Sequence, residues 1–429
     1  MNAKWYVYVG TLVLALALAM GLGTWTPPTQ ADGNKHKAPN YRVDPFWPKP
    51  LPDNWVTGEV AGTCIDSKDH LVIVNRGFQT GGLASPEGVG GAKTTSPAAG
   101  TLGGPFKSRA SPPVIEFDRK GNVVNAWGNP AIVPAGQPHE GQNAVLPNSI
   151  HGCFVDYQDN VWIAGNNDGV VQKWSHDGQH LLLQIGTKFV CDNPPANTCG
   201  NSGANAAANK SHTLLNQPAD MAVDPANGDV YIADGYGNHR IVVFDKNGNY
   251  LRQWGSVGFG PGLFQPTDGG HPHCVVLGAD GLVYTCDRGS DRIQVFEKNP
   301  KNCANTGLGG DRVCQPVRII PVVPCTGAVS AVCPDPTKAL GTAGSAWDVD
   351  FSADKDQTFM FEVDGGNEVL WTFDRLAGKI LSGFGRPGHM AGDFTFLHSI
   401  AVDSKGNLYL GETVGGRRFQ KFVPKGDDD

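Results

Sequence analysis

The sequence predicts an all-β protein, a six-bladed β-propeller built from four-stranded antiparallel blades. Three observations lead there: a pattern of short strands and turns that recurs six times, 57 glycines and 31 prolines with no collagen-like period, and histidines in common register in every second repeat. The third repeat is the clearest. Residues 221–224 (MAVD), 229–234 (DVYIAD), 240–245 (RIVVFD) and 250–255 (YLRQWG) are apolar, β-branched runs separated by turn formers at 225–228, 235–238 and 247–249.

The other repeats follow in order. Repeat one has CID, LVIVNRG, PVIEFD and VVNAWG, ending at Gly128; repeat two has CFVD, NVWIAG, VVQKW and LLLQIG, ending at Gly186. Repeat four has CVVL, LVYTCDRG and RIQVFE, with a fourth strand expected near residues 317–322. Repeat five has DVDFS, TFMFEV, VLWTF and ILSGFG, ending at Gly385. Repeat six has SIAVD, NLYLGE and RFQKF and then runs out, so residues 41–47 are expected to supply its outer strand and close the ring. The strand pattern resembles the NHL repeat.

A chain of 429 residues could make two or three domains, but a closed ring is one unit, expected over residues 51–425 and acting as a monomer. Residues 32–50 then form a linker with the ring-closing strand, and 426–429 an acidic tail. A formal charge of −7 with signs interspersed gives no reason to expect nucleic acid. Lys4, the apolar run 5–22 and the polar stretch 24–33 read as an export signal cleaved after Ala31, or as an N-terminal membrane anchor. Either reading places the propeller outside the cytoplasm, in a periplasmic or extracellular space.

Ten cysteines suit an oxidising compartment. Cys191 with Cys199, Cys303 with Cys314 and Cys325 with Cys333 are close in sequence and read as staples of long loops; Cys64, Cys153, Cys274 and Cys286 lie on strands, either free or bridged. Three insertions break the rhythm, at 79–112, 187–211 and 300–316, the last continuing through 323–344. Loops of that length usually form a functional rim.

When the repeats are aligned on the end of their first strand, His151 precedes Asp156 by five residues, His398 precedes Asp403 by five, and His273 precedes Gly278 by five. The intervening repeats carry Ala61, Ala219 and, in a less regular register, Trp347. A single strand histidine is ordinarily a hydrogen-bonded structural residue. Three that alternate around a sixfold ring would meet near its axis and leave one position open, as a catalytic zinc requires. His271 competes as a ligand, two residues before His273, although Pro272 disfavours a strand there.

Over most of residues 55–423 the chain resembles peptidyl-α-hydroxyglycine α-amidating lyase, the zinc lyase that completes peptide C-terminal amidation. The motifs carrying the resemblance are EVAGTCIDSKDHLVIVNRG, HGCFVDYQDNVWIAG, QPADMAVDPANGDVYIADGYGNHRIVVF, GPGLFQPTDGGHPHCVVL, YTCDRGSDRIQVF and FLHSIAVDSKGNLYLGE. The resemblance implies zinc on His151, His273 and His398, an active-site tyrosine at Tyr236 in its DGY motif, and arginines at Arg76 and at Arg288 in its DR motif. It also implies a structural calcium ion, held through backbone carbonyls matching Val60 and Cys153 and an Asp after the third histidine. This chain has Ser399 there, and without its one carboxylate a hard-cation site loses most of its strength, so calcium is not expected. The family methionine two residues before that histidine is Phe396 here, which alters the substrate wall.

The residue types make chemical sense unaided. Zinc lowers the pKa of a bound hydroxyl, a tyrosine beside it can serve as base, and arginine suits bidentate capture of a carboxylate. The plain readings are that Arg76 and Arg288 are rim ion-pair residues and Tyr236 a strand-end aromatic. The expected function is an exported zinc lyase acting on a small molecule or peptide ending in an α-hydroxyglycine-like group, giving an amide and glyoxylate. The alternatives are a non-catalytic NHL propeller acting as a binding scaffold, and a lactonase-type hydrolase, which would need Glu, Asn and Asp ligands that are not evident here.

Overall fold

The structure is a computed structural model that describes residues 36–77, 109–128, 146–200, 208–266, 270–305, 312–322 and 344–426. The export signal or anchor, most of the 79–112 insertion, and Cys325 with Cys333 lie outside these residues. Six four-stranded antiparallel sheets form the blades of a β-propeller. Their inner strands are Val60–Ile65, Ile150–Val155, Asp220–Val223, Val275–Leu277, Ala346–Phe351 and Leu397–Val402, and residues from all six line one axial cavity of about 200 Å³. Among the described residues no helix is long and apolar enough to cross a membrane.

The apolar positions of each strand alternate between the two neighbouring blades, so the core is divided into layers between blades. Between blades 2 and 3, for instance, Trp162 and Val171 pack on Met221, Val230 and Ile232. The sixth blade takes its outer strand from the N-terminal side: Tyr41–Val43 pairs with Phe419–Pro424, Tyr41 opposite Pro424 and Val43 opposite Phe422. Beside this strand, Trp47 is buried between blades 6 and 1 against Phe117, Tyr409 and Phe419.

Four disulfides join described residues. Cys191–Cys199 and Cys303–Cys314 staple insertions, the latter across the hairpin of Cys303–Asn305 and Arg312–Cys314. The strand cysteines, left open by the sequence, are bridged as well. Cys64–Cys153 ties the inner strands of blades 1 and 2, and Cys274–Cys286 joins the residue just before the first strand of blade 4 to the second strand.

Candidate metal centre and active site

The inner strands do not run straight into the axis. The pairing register slips by one residue between Val60 and Gly62, between Ile150 and Cys153, between Ala346 and Asp348, and between Leu397 and Ser399. Each slip is a β-bulge that spans the position singled out by the alignment, and a bulge re-aims the residue it frees from the ladder. Trp347 therefore belongs to the common register despite its irregular spacing.

This arrangement brings His151, His273 and His398 together. Their ring centroids form a near-equilateral triangle with sides of 4.8, 5.0 and 5.0 Å. One ring nitrogen from each lies within 4.8 Å of the other two, and all three residues are buried. The odd blades orient the imidazoles of the even ones. His151 Nδ1 donates to the Ala219 carbonyl (2.8 Å) and His273 Nδ1 to the Trp347 carbonyl (2.6 Å). The Ala61 carbonyl stands in the same relation to His398, whose Nδ1 makes no well-formed hydrogen bond. A carbonyl acceptor at Nδ1 fixes the proton there and leaves the Nε2 lone pair for a ligand.

Burial pushes all three imidazoles toward the neutral form, assisted by the charges of Arg76 and Arg288 at His151 and His398, and of Arg288 at His273. His398 is pushed down to about 3. Neutral, convergent Nε2 atoms fit a borderline divalent cation such as zinc.

Tyr236 stands over this triangle, its hydroxyl 3.0 Å from His151 Nε2 and 3.1 Å from His273 Nε2. The turn that carries it is anchored by Asp234, which accepts the Asn216 N–H and pairs with buried Arg240. Gly235 passes so close to the segment bearing His273 that a Cβ would lie 1.9 Å from the Pro272 carbonyl oxygen. Only glycine permits that approach.

The two arginines differ. Arg76 is pinned, with one terminal nitrogen 2.8 Å from the Glu59 carboxylate and its Nε donating to the Ile150 carbonyl. Arg288 has no carboxylate partner among the described residues; its guanidinium lies 4.4 Å from the centre of the Trp347 ring, contacts the Tyr236 hydroxyl at 3.4 Å and leaves Nε unpartnered. Phe396 packs edge-on to Trp347, which flanks both His273 and His398, so an aromatic wall closes this side.

His271 is not part of the cluster, because its Nδ1 accepts the Gly289 N–H instead. Val60 is fully buried in its strand, Cys153 is bridged to Cys64, and the Ser399 hydroxyl accepts a hydrogen bond from Thr63. Sequence reasoning missed Asp220 and Asp348, which line the same small cavity as the triad. Their signal was available, since each follows the residue aligned with the histidines. Asp220 accepts the Val275 N–H, and Asp348 accepts the Ile400 N–H, so each stitches its blade to the next. Burial drives the carboxyl of Asp220 up to about 7 and that of Asp348 upward as well.

A six-bladed propeller with three buried, convergent histidines on its axis is the class that fold and site define. The NHL-repeat profile matches residues 215–244 and 270–296. The chain thus carries NHL repeats and is homologous, at modest identity, to peptidyl-α-hydroxyglycine amidating lyases. It is 29% identical over 220 residues to the probable peptidyl-alpha-hydroxyglycine alpha-amidating lyase pgal-1 of Caenorhabditis elegans, covering 49% of this chain and 54% of that one. Against peptidyl-glycine alpha-amidating monooxygenase B of Xenopus laevis it is 26% identical over 253 residues, which cover 57% of this chain and 23% of the relative. Against NHL repeat-containing protein 3 of Mus musculus it is 24% identical over 405 residues, covering 90% and 85%. The chain spans less than a quarter of the length of the amidating monooxygenase relatives it matches.

Proposed function

We propose that the protein is an exported zinc-dependent lyase that cleaves an N-acyl α-hydroxyglycine-type carbinolamide into an amide and glyoxylate. The observation that carries this reading is the convergence of three neutral imidazoles beneath a tyrosine hydroxyl, with an uncompensated arginine alongside. His151, His273 and His398 would hold the zinc ion through Nε2. Bound there, it supplies Lewis-acid polarisation of a hydroxyl oxygen.

The chain's own groups do the rest. Arg288, stacked on Trp347 and free of any described acid partner, takes the substrate carboxylate with its unpaired donors. Arg76 is held by Glu59 and contributes positive charge at the edge of the cluster rather than a free fork. Tyr236 takes the proton of the substrate hydroxyl. The carbon–nitrogen bond then breaks, the electrons of the O–H bond forming the aldehyde carbonyl, and the departing amide nitrogen gains a proton. Trp347 and Phe396 exclude water from one side. The four disulfides suit an oxidising compartment, consistent with export.

The binding-scaffold reading is favoured by one observation, the 405-residue match to a relative whose name specifies no activity. One experiment separates the two: zinc analysis of the purified protein together with glyoxylate release from α-hydroxyhippurate. Stoichiometric zinc with glyoxylate release supports the lyase. Zinc without glyoxylate rejects this substrate class, and a metal-free protein rejects the enzyme.

A further inference from the structure

A second cluster of ligating side chains lies at the seam of blades 1 and 2, at the ends of the inner strands opposite to the axial histidines. Asp66, Glu116 and His176 each offer a ligand atom, all within 4.8 Å of one another, and His70 flanks them. Glu116 Oε1 is 2.6 Å from His70 Nδ1, and Glu116 Oε2 is 3.2 Å from His176 Nε2. Asp66 Oδ2 lies at ion-pair distance from both rings, 3.5 Å from His70 and 3.6 Å from His176, but is buried and hydrogen-bonded to neither. His176 Nε2 is likewise buried and unpartnered by hydrogen-bond geometry.

The repeats supply an internal control. An Asp at the end of the inner strand is a turn device of this fold: one oxygen accepts backbone N–H groups from the following turn. Asp66 does so with Lys68 and His70, Asp156 with Gln158 and Asn160, and Asp403 with Lys405 and Asn407. The second oxygen is satisfied elsewhere. Asp156 Oδ2 meets the Trp162 indole and Lys173, Asp403 Oδ2 meets Asn407 and the Tyr409 hydroxyl, and Asp224 Oδ2 meets Lys298.

Blade 1 alone of these four departs, and its register says how. Glu116 pairs with Val72 as Lys173 pairs with Trp162, so a carboxylate occupies the site that in blade 2 holds the neutralising ammonium. Two buried carboxylates side by side repel unless a cation lies between them. A divalent cation between them balances both carboxylates.

We propose that Asp66, Glu116 and His176, with His70 beside them, form a second metal site for a borderline divalent cation such as zinc. Two carboxylate oxygens and an imidazole nitrogen are the donors such an ion accepts, with an open position left for water. His176 is already oriented as a ligand, its Nδ1 donating to the Asp159 carbonyl at 2.8 Å. The imidazoles of His70 and His176 are 21% and 27% exposed, so an ion reaches the site from solvent. A bound ion would clamp two neighbouring blades, because His176 comes from blade 2 and the other three residues from blade 1.

The test is cobalt(II) binding to the chelator-stripped full chain, followed by metal analysis and by the visible absorption of the ion. The protein should take up two equivalents. A variant with both His151→Ala and His273→Ala, which disables the axial cluster, should keep one, and that ion should raise the melting temperature. Adding Glu116→Gln should then weaken the remaining ion at least about tenfold, as loss of a ligand does. His70→Gln is the milder second variant should Glu116→Gln fail to fold. The proposal is overturned if the folded axial double variant binds no cobalt, or if its cobalt is indifferent to Glu116→Gln, His176→Gln and His70→Gln. Because the axial site is already disabled, these outcomes are independent of whether the protein is a lyase.

Discussion

At the axis, three imidazoles from blades 2, 4 and 6 meet with backbone carbonyls behind them and two arginines near them; at the seam of blades 1 and 2, two imidazoles meet two carboxylates. The same side chain is driven in opposite directions. Burial and neighbouring positive charge depress the axial histidines, His398 to about 3, whereas the Glu116 carboxylate 3.2 Å away lifts His176 to about 9 against its burial. The difference teaches that histidine identity says little about ligand readiness. At the axis no proton competes with a metal near neutral pH, while at the seam a metal must displace one.

The largest effect should follow from breaking the axial cluster. His273→Ala is expected to lose axial zinc and to lower glyoxylate release by about 10³-fold or more, since metal polarisation is worth several kcal/mol. Glu116→Gln, at the seam, should leave that rate unchanged. Equal losses in the two variants, with both folded, would erase the functional distinction between the clusters.

The axial cluster also depends on ring closure, because its histidines come from alternate blades. Trp47 fills the junction of blades 6 and 1 beneath Lys421. Trp47→Ala should cost about 3–5 kcal/mol, the usual range for a buried large aromatic. The melting temperature would fall by several degrees or more. Deleting residues 41–47, which removes the closing strand as well, should cost more. An unchanged melting temperature would mean that the ring is held without them.

Arg288 and Arg76 sharpen the contrast inside the axial site. Arg288→Ala removes a guanidinium with no acid partner among the described residues and should raise KM for a carboxylate substrate about 10- to 100-fold, the worth of a charge-assisted hydrogen bond. The same change at Arg76 leaves Glu59 buried and unpaired. It should therefore lower stability more than substrate affinity, as a denaturant titration beside steady-state kinetics would reveal.

Much of this was legible in the sequence, for a physical reason. Strand period and turn residues recur because each blade solves the same packing problem, so the sixfold architecture and the closing segment could be read directly. The three histidines could be read because a ring converts common register into spatial convergence. Trp347 was harder, since the bulge between Ala346 and Asp348 shifts the count by which registers are compared. The different surroundings of Arg76 and Arg288 could not be read at all. They depend on Glu59, which reaches Arg76 from across a hairpin. The seam cluster stayed hidden because Glu116 and His176 look like ordinary surface residues until the blades are superposed.

The smallest effect tests the opposition of the two clusters through pH. In metal-stripped protein the axial histidines have folded pKa values below the ordinary 6.5. Between those values and 6.5 the unfolded chain binds more protons, so their stabilisation is full above 6.5 and is lost as pH falls. His176 has the reverse sign. With its folded value near 9, the folded chain binds the extra proton, so its contribution is full below 6.5 and is lost as pH rises toward 9. Asp66 and Glu116 face it throughout that window, and Glu116 is itself held below its usual range because its contacts with both imidazoles outweigh its burial. Urea titrations between pH 6 and 10 should therefore show an alkaline decline that His176→Gln reduces. Metal at the seam should also reduce it, because an ion that has taken the proton's place leaves nothing there to titrate. A decline of equal size in stripped, metal-loaded and His176→Gln protein would place its origin in other groups and leave the seam histidine without a share in stability.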